Sequence, residues 1–199
     1  MVTLFTPDYG RIDAVARGCR RPKSALVNCV EPFVSGEFQL YARRERYTIE
    51  QCQIRESFYE LRTDYDRLIH GVYWLKLLEC AVMPEEANPE LFMMALRALA
   101  HLNYSDLPPE LLTMAFEMHL LASLGYAPRM DACAQCGKPI DGDARFDVAL
   151  GGAVCLNCPS SAPKVKNMAR RIMMKVPRTK YDQVALLIDH PEWKDAARL

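Results

Sequence analysis

Apolar and polar positions alternate with a period of two through the first fifty or so residues, and with a period near 3.6 beyond them. Val2–Thr6 is β-branched and aromatic, and Pro7-Asp8-Tyr9-Gly10 carries turn chemistry. Ile12, Ala14 and Ala16 then alternate with Arg11, Asp13, Val15 and Arg17. Segments around Leu26–Val34 and Phe38–Arg43 flank Ser35-Gly36, which predicts a hairpin there, and Tyr47–Ile54 supplies a further strand. Short strands about 8–12 residues apart predict a barrel or sandwich rather than βα units. The segment is too short for two full sheets, which favours a barrel.

From Leu61 the spacing changes. Leu61, Tyr65, Leu68, Ile69, Val72, Leu75 and Leu78 recur every three or four residues, as one face of a helix does. Asn88-Pro89-Glu90 supplies an N-cap, a first-turn proline and an acid ahead of Leu91–Leu102. Asp106 through Pro109-Glu110 repeats that start before Leu111–Leu124, and Gly125 is placed as its C′ stop. Three amphipathic helices with short links predict a bundle. Two further helical stretches, about Val165–Val176 and Tyr181–Ile188, follow a cysteine-rich insert.

Composition changes this picture little. Of 199 residues 50% are apolar and 25% charged, which excludes a disordered or fibrous chain. No stretch approaches the roughly 20 apolar residues of a membrane span. The N-terminus lacks the basic head and apolar core of a secretory signal, so the cytoplasm is the expected compartment. The zero net charge hides a split: residues 1–60 carry nine basic and eight acidic groups, 61–130 five and nine, 131–199 eleven and eight. Binding follows local fields, so the total does not exclude a polyanion.

Cys133-Ala-Gln-Cys136 and Cys155-Leu-Asn-Cys158 are the most specific motif. Each C-x-x-C brings two thiolates to one ion from a tight turn, and two such knuckles complete a tetrahedral sulfur shell. Gly137 relieves the backbone where that turn demands positive φ. Thiolate softness and fourfold geometry favour zinc, and four cysteines leave no open position for water, so a structural Zn2+ is expected. A thioredoxin-like redox pair fits a tandem arrangement badly. Cys19, Cys29, Cys52 and Cys80 are scattered and read as packing residues, and core filling is the usual reason for methionines such as Met114 and Met173.

No phosphate-binding glycine loop, nucleophile elbow or metalloprotease helix is present, and His70, His101, His119 and His190 are isolated. Nothing recommends a catalytic site. Cations do cluster. Arg11, Arg17, Arg20, Arg21 and Lys23 fall within thirteen residues with only Asp13 opposing, and Arg43, Arg44 and Arg46 form a second group at a strand end. On a small barrel, loops and strand ends can join into one positive groove, with Phe38, Tyr41 and Tyr47 as stacking platforms. Clustering favours nucleic acid over a merely solvated loop. Between Lys164 and Lys180 seven cations appear without an acid; they fit phosphates, an acidic peptide or plain solvent equally well.

The order of motifs resembles one family. Leu4-Phe5-Thr6, Gly10, Ala14-Val15-Ala16-Arg17-Gly18-Cys19-Arg20-Arg21-Pro22-Lys23-Ser24, Glu31-Pro32-Phe33, Asn88-Pro89-Glu90-Leu91-Phe92 and Leu124-Gly125-Tyr126-Ala127-Pro128 before Cys133 are similar to RecO, a bacterial recombination mediator. The likeness spans most of residues 2–158. It implies an α+β chain: an OB-fold barrel over residues 1–57, then a helical domain over 58–199 with a zinc insert at 131–160. It further implies binding of single- and double-stranded DNA and strand annealing. Contacts with RecR and the acidic tail of single-stranded-DNA-binding protein, assistance to RecA, and a place at the nucleoid belong to the same expectation.

Arg17, Arg20, Arg21 and Lys23 match the family's basic stretch as DNA contacts, and the zinc ligands carry over onto the four cysteines. Family members have a strand-length segment ahead of the piece matching Val2–Thr6; its absence predicts an incomplete barrel with an unpaired edge and a reading frame shortened at its start. Two other classes stay open: a zinc-ribbon adaptor for acidic partner tails and, more remotely, a metal-dependent hydrolase.

Overall fold

β-branched and aromatic residues make Val2–Thr6 the first strand (β1), and the turn at Pro7–Tyr9 returns the chain as β2 (Gly10–Val15), with Leu4 opposite Ile12. The computed structural model describes residues 1–44, 46–187 and 189–199, in two compact units, Met1–Ser105 and Asp106–Leu199.

In the first unit β3 (Ser35–Arg43) and β4 (Arg46–Glu56) form the long hairpin. The strand order is β1-β2-β4-β3, with β2 and β4 parallel and the other pairs antiparallel. Those are the order and directions of four strands of a Greek-key OB barrel, the fold that the resemblance implies. Ala14, Leu26 and Ile49 form the buried centre, with Val2, Leu4, Phe38, Leu40 and Tyr47 half-buried around it.

Two sequence expectations here are corrected. Leu26–Val34 is not a strand but a turn-rich loop with one 3-10 turn, Asn28–Val30. Its apolar residues have a helical rather than an alternating rhythm, because Leu26, Cys29 and Phe33 plug into the unit while the backbone coils. The hairpin therefore turns not at Ser35-Gly36 but after Arg43, where Arg44 takes φ +47°.

Three helices complete the unit: α1 (Glu60–Thr63), α2 (Tyr65–Ala81) and α3 (Pro89–Tyr104). Asp64 interrupts the anticipated single helix by going extended and capping α2, its carboxylate accepting from the Arg67 amide. Asn88 caps α3 through the Leu91 amide, with Pro89 in the first turn, as its sequence predicts. The buried side of α2 is Gly71, Trp74 and Leu78; Tyr65, Ile69 and Val72 of the anticipated face are exposed. The helix is apolar nearly all round, so spacing alone could not tell its two sides apart.

The second unit begins with α4 (Pro109–Ser123), whose first turn is set by Pro109 rather than by a side-chain cap, and which stops at Gly125 with φ +80°. A small antiparallel sheet follows, β5 (Ala144–Asp147) between β6 (Gly152–Cys155) and β7 (Lys164–Val165). Helix α5 (Asn167–Lys175), a 3-10 turn at Val176–Arg178, α6 (Tyr181–Val184) and α7 (Trp193–Ala196) close the chain. Val165, expected in a helix, pairs as strand with Ala144. The stretch beginning at Tyr181 is helical only to Val184 before a 3-10 turn, and its expected end, Ile188, lies outside the described residues. No helix among the described residues is long and apolar enough to cross a membrane.

Candidate metal centre and nucleic-acid interface

Both knuckles are formed. The chain folds back at 133–138, where the Cys133 amide donates to the Lys138 carbonyl and Gly137, at φ +75°, donates to the Cys133 carbonyl. The Ala134 amide donates to the Ala153 carbonyl, which ties this turn to β6 and hence to Cys155. The four sulfurs lie within 4.8 Å of one another, with Cys133–Cys158 at 3.9 Å and Cys136–Cys155 at 3.8 Å. Sulfurs about 2.3 Å from a central ion in a tetrahedron would be about 3.8 Å apart, so the shell has the right size for a metal.

The amides of Cys136 and Cys155 both point at Cys133 Sγ, each at 3.4 Å. Burial works against ionising Cys133, but these donors outweigh it and bring its pKa down to about 6. Hydrogen bonds that the Cys158 thiol donates to the Cys155 and Cys136 sulfurs, together with burial, push its pKa up to about 12. The remaining cysteines are elsewhere: Cys29 is buried and Cys19 and Cys52 half-buried in the barrel, and Cys80 is exposed.

A buried arginine braces this module. Arg170, 4% exposed, donates from Nη1 to the Met130 carbonyl at 2.5 Å, from Nε to the Gly142 carbonyl at 3.2 Å and from Nη2 to Asn167 Oδ1 at 2.9 Å. One side chain on α5 thereby holds both the segment entering the first knuckle and the loop before β5. In the sequence it is indistinguishable from the cations beside it.

The eight candidate cations of the first unit separate into two groups and an outlier. Arg17, Arg20, Arg21 and Lys23 are exposed on the loop leaving β2. Arg43, Arg44 and Arg46 are exposed where β3 meets β4. The parallel pairing of Ala14 with Tyr47 and Val15 with Thr48 sets the end of β2 beside the first residues of β4. Arg11 differs: its guanidinium turns onto α2 and donates to the Glu79 carbonyl at 3.0 Å.

The hairpin end has an unusual register. Arg43 pairs directly with Arg46, two like charges across one rung. Cross-strand like charges destabilise a sheet, and among the described residues no carboxylate lies within ion-pair distance of either. Two residues back on the same face, Tyr41 is 54% exposed. Phe38 and Tyr47, also expected as stacking platforms, lean instead into the barrel centre.

Comparison with known proteins gives the family. Residues 1–58 match the family described as recombination protein O N terminal, and residues 62–199 match recombination protein O C terminal. The chain belongs to the RecO family. It is 35% identical over 158 residues to the DNA repair protein RecO of Alkaliphilus metalliredigens, covering 79% of this chain and 64% of that one. Against DNA repair protein RecO of Syntrophomonas wolfei it is 33% identical over 173 residues, covering 87% and 68%. The match to that of Symbiobacterium thermophilum is 36% over 162 residues, covering 79% and 64%. The chain thus spans just under two thirds of the length of several relatives it matches. The match over both family models agrees with a strand-rich N-terminal region followed by a helical one.

Proposed function

We propose that this RecO-family chain is a DNA-binding recombination mediator in DNA repair. It would anneal complementary strands and help load recombinase on single-stranded DNA, in concert with RecR, the acidic tail of single-stranded-DNA-binding protein and the RecA pathway. Its work is binding rather than bond-making: cations neutralise phosphates and release counterions, and an aromatic ring stacks a base. The observation that carries this reading is the exposed Arg43–Arg46 rung beside Tyr41, a like-charge pair that a polyanion would relieve. It is the last rung before the loop between β3 and β4, and the loops of OB folds are where they meet oligonucleotides. Arg17, Arg20, Arg21 and Lys23 extend it, and Arg44 crowns the turn. Arg11, bound to a backbone carbonyl, is the weakest member of the set. A zinc ion held by Cys133, Cys136, Cys155 and Cys158 would fix the second unit without taking part in chemistry.

The test is annealing of complementary oligonucleotides, with affinity for single-stranded DNA measured across a salt series, on protein whose metal has been counted. Replacing Arg17, Arg20 and Arg21 together by alanine should abolish annealing and flatten the salt dependence by about two logarithmic units per decade. Unchanged affinity at every salt would reject the reading. A zinc-ribbon adaptor for acidic tails is the second reading. It draws on the exposed Lys164, Arg171, Lys175, Arg178 and Lys180 of the second unit, and an acidic tail peptide binding while DNA does not would favour it.

A further inference from the structure

The solvent side of the β3–β4 hairpin changes chemistry along its length. From the turn backwards its rungs are Arg43 with Arg46, Tyr41 with Thr48, Gln39 with Gln51 and Glu37 with Gln53. Tyr41 and the three glutamines are exposed. Apart from Glu50, charge lies only at the two ends of this strip: the arginine rung at one, and at the other Glu37, which Arg55 holds at 2.5 Å. Between them stand a phenol, a hydroxyl and side-chain amides, and among the described residues none of the three amides has a hydrogen-bond partner.

The ladder slips at the centre of the strip. Leu40 faces Ile49 and Gln39 faces Gln51, so Glu50 is an extra, exposed residue on β4. Such bulges re-aim the side chains around them. Beside the slip a shallow hollow of about 320 Å³ opens, bordered by Glu37, Phe38 and Gln39 and, across the ladder, by Gln51, Cys52 and Gln53. That volume is at the lower end of small-ligand pockets.

A side-chain amide carries a donor and an acceptor in one plane, which matches the paired donor and acceptor on a base edge, adenine above all. A phosphate offers acceptors alone, and Glu50 and Glu37 repel it. A polyanion drawn to the arginine rung therefore meets, a few residues further along, a surface suited to its bases rather than to its backbone.

We propose that Gln39 and Gln51 hydrogen-bond the base edges of a single strand whose phosphates lie on Arg43 and Arg46 and one of whose bases stacks on Tyr41. This rests on the DNA reading and deepens it, from attraction of phosphates to contact with bases. A rise of about 3.4 Å per residue puts the Glu37 rung about 20 Å from the arginine rung. That is room for about four nucleotides, the short end of OB-fold sites.

The test is fluorescence anisotropy with two twelve-nucleotide strands of equal charge, one carrying adenine throughout and one abasic throughout. The parent chain should bind the adenine strand more tightly. Gln39→Met with Gln51→Met keeps side-chain length and removes both amides. It should weaken the adenine complex about tenfold and leave the abasic complex, the salt dependence and the melting temperature as in the parent. Threonine at both positions, a strand former too short to reach a base, should give the same selective loss. Arg43→Ala should do the reverse, weakening both complexes and flattening the salt dependence by about one unit.

Equal loss on both strands in the glutamine variants, or loss on neither, overturns the proposal and leaves the DNA reading standing. Failure of the parent to bind either strand sinks that reading, and the proposal with it.

Discussion

The ring of Phe33 occupies the space that a side chain on Gly71 would need: a Cβ there would approach Phe33 Cε1 to 2.8 Å and Cζ to 2.9 Å. Phe33 is 5% exposed and holds φ +70°, a conformation that a bulky residue keeps only when its surroundings hold it. The bare stretch of α2 at Gly71 is therefore what lets the loop after β2 dock and deliver β3. Alanine at position 71 would gain about 1 kcal/mol of helix propensity but would overpack the ring at about 1–3 kcal/mol. Gly71→Ala should lose up to about 2 kcal/mol in urea unfolding. A variant more stable than the parent would show that the ring moves aside freely.

What could be read in advance was whatever is written locally. Asn88-Pro89-Glu90 states a helix start within three residues, and each C-x-x-C knuckle states a metal turn within four; both are where they were expected. Tertiary context decided the rest. Leu26, Cys29 and Phe33 looked like strand residues because burial alone made them apolar, whatever the backbone does. Arg170 looked like its neighbours because a guanidinium is written identically whether it faces solvent or two carbonyls. The Arg43–Arg46 rung appears only once the register of the hairpin is known, since the hairpin had been expected nine residues earlier.

His119 and Tyr181 stack with ring centroids 5.0 Å apart and interplanar angle 26°. Burial lowers the histidine's pKa from its ordinary 6.5, only partly offset by a hydrogen bond to the Thr179 backbone. The folded state thus prefers the neutral ring, whereas the unfolded chain takes up a proton as pH drops below 6.5. The resulting stability is complete above pH 6.5 and is lost as pH falls toward the depressed folded value. Glu56 and Glu60, whose pKa values are also lowered, act only below their ordinary 4.5. Between pH 7 and 5 the melting temperature of the parent should therefore fall more steeply than that of His119→Phe. Parallel curves would show that His119 titrates as it does in the unfolded chain.

Arg170 gives the cysteine module its second support. Arg170→Met keeps the length of the side chain but leaves the Met130 and Gly142 carbonyls without their charged donor. Hydrogen bonds from charged groups contribute about 1.5–3 kcal/mol each, and buried partners left alone cost more than exposed ones. A loss of about 3 kcal/mol or more is expected from the two carbonyl bonds together, seen as unfolding of the second unit at lower denaturant and faster surrender of metal to a chelator. Arg170→Lys should recover only part, because an ammonium cannot span both carbonyls as the planar fork does. Full recovery with lysine would mean that charge alone matters.

Arg43 and Arg46 separate stability from binding in one substitution. Two like charges face each other across the rung, so Arg46→Glu turns repulsion into attraction and should stabilise the hairpin by about 0.2–1 kcal/mol. The gain should shrink as salt is added, because the pair is exposed and screened. If the rung exists to meet phosphates, the same change removes one cation and places an anion against the backbone of the nucleic acid. Affinity for single-stranded DNA should then drop, and its salt dependence should flatten by about one unit for the lost phosphate contact. Thermal melting and fluorescence anisotropy on the same preparation read both effects. A more stable protein that binds DNA as tightly as before would show that the opposed arginines serve something other than a polyanion.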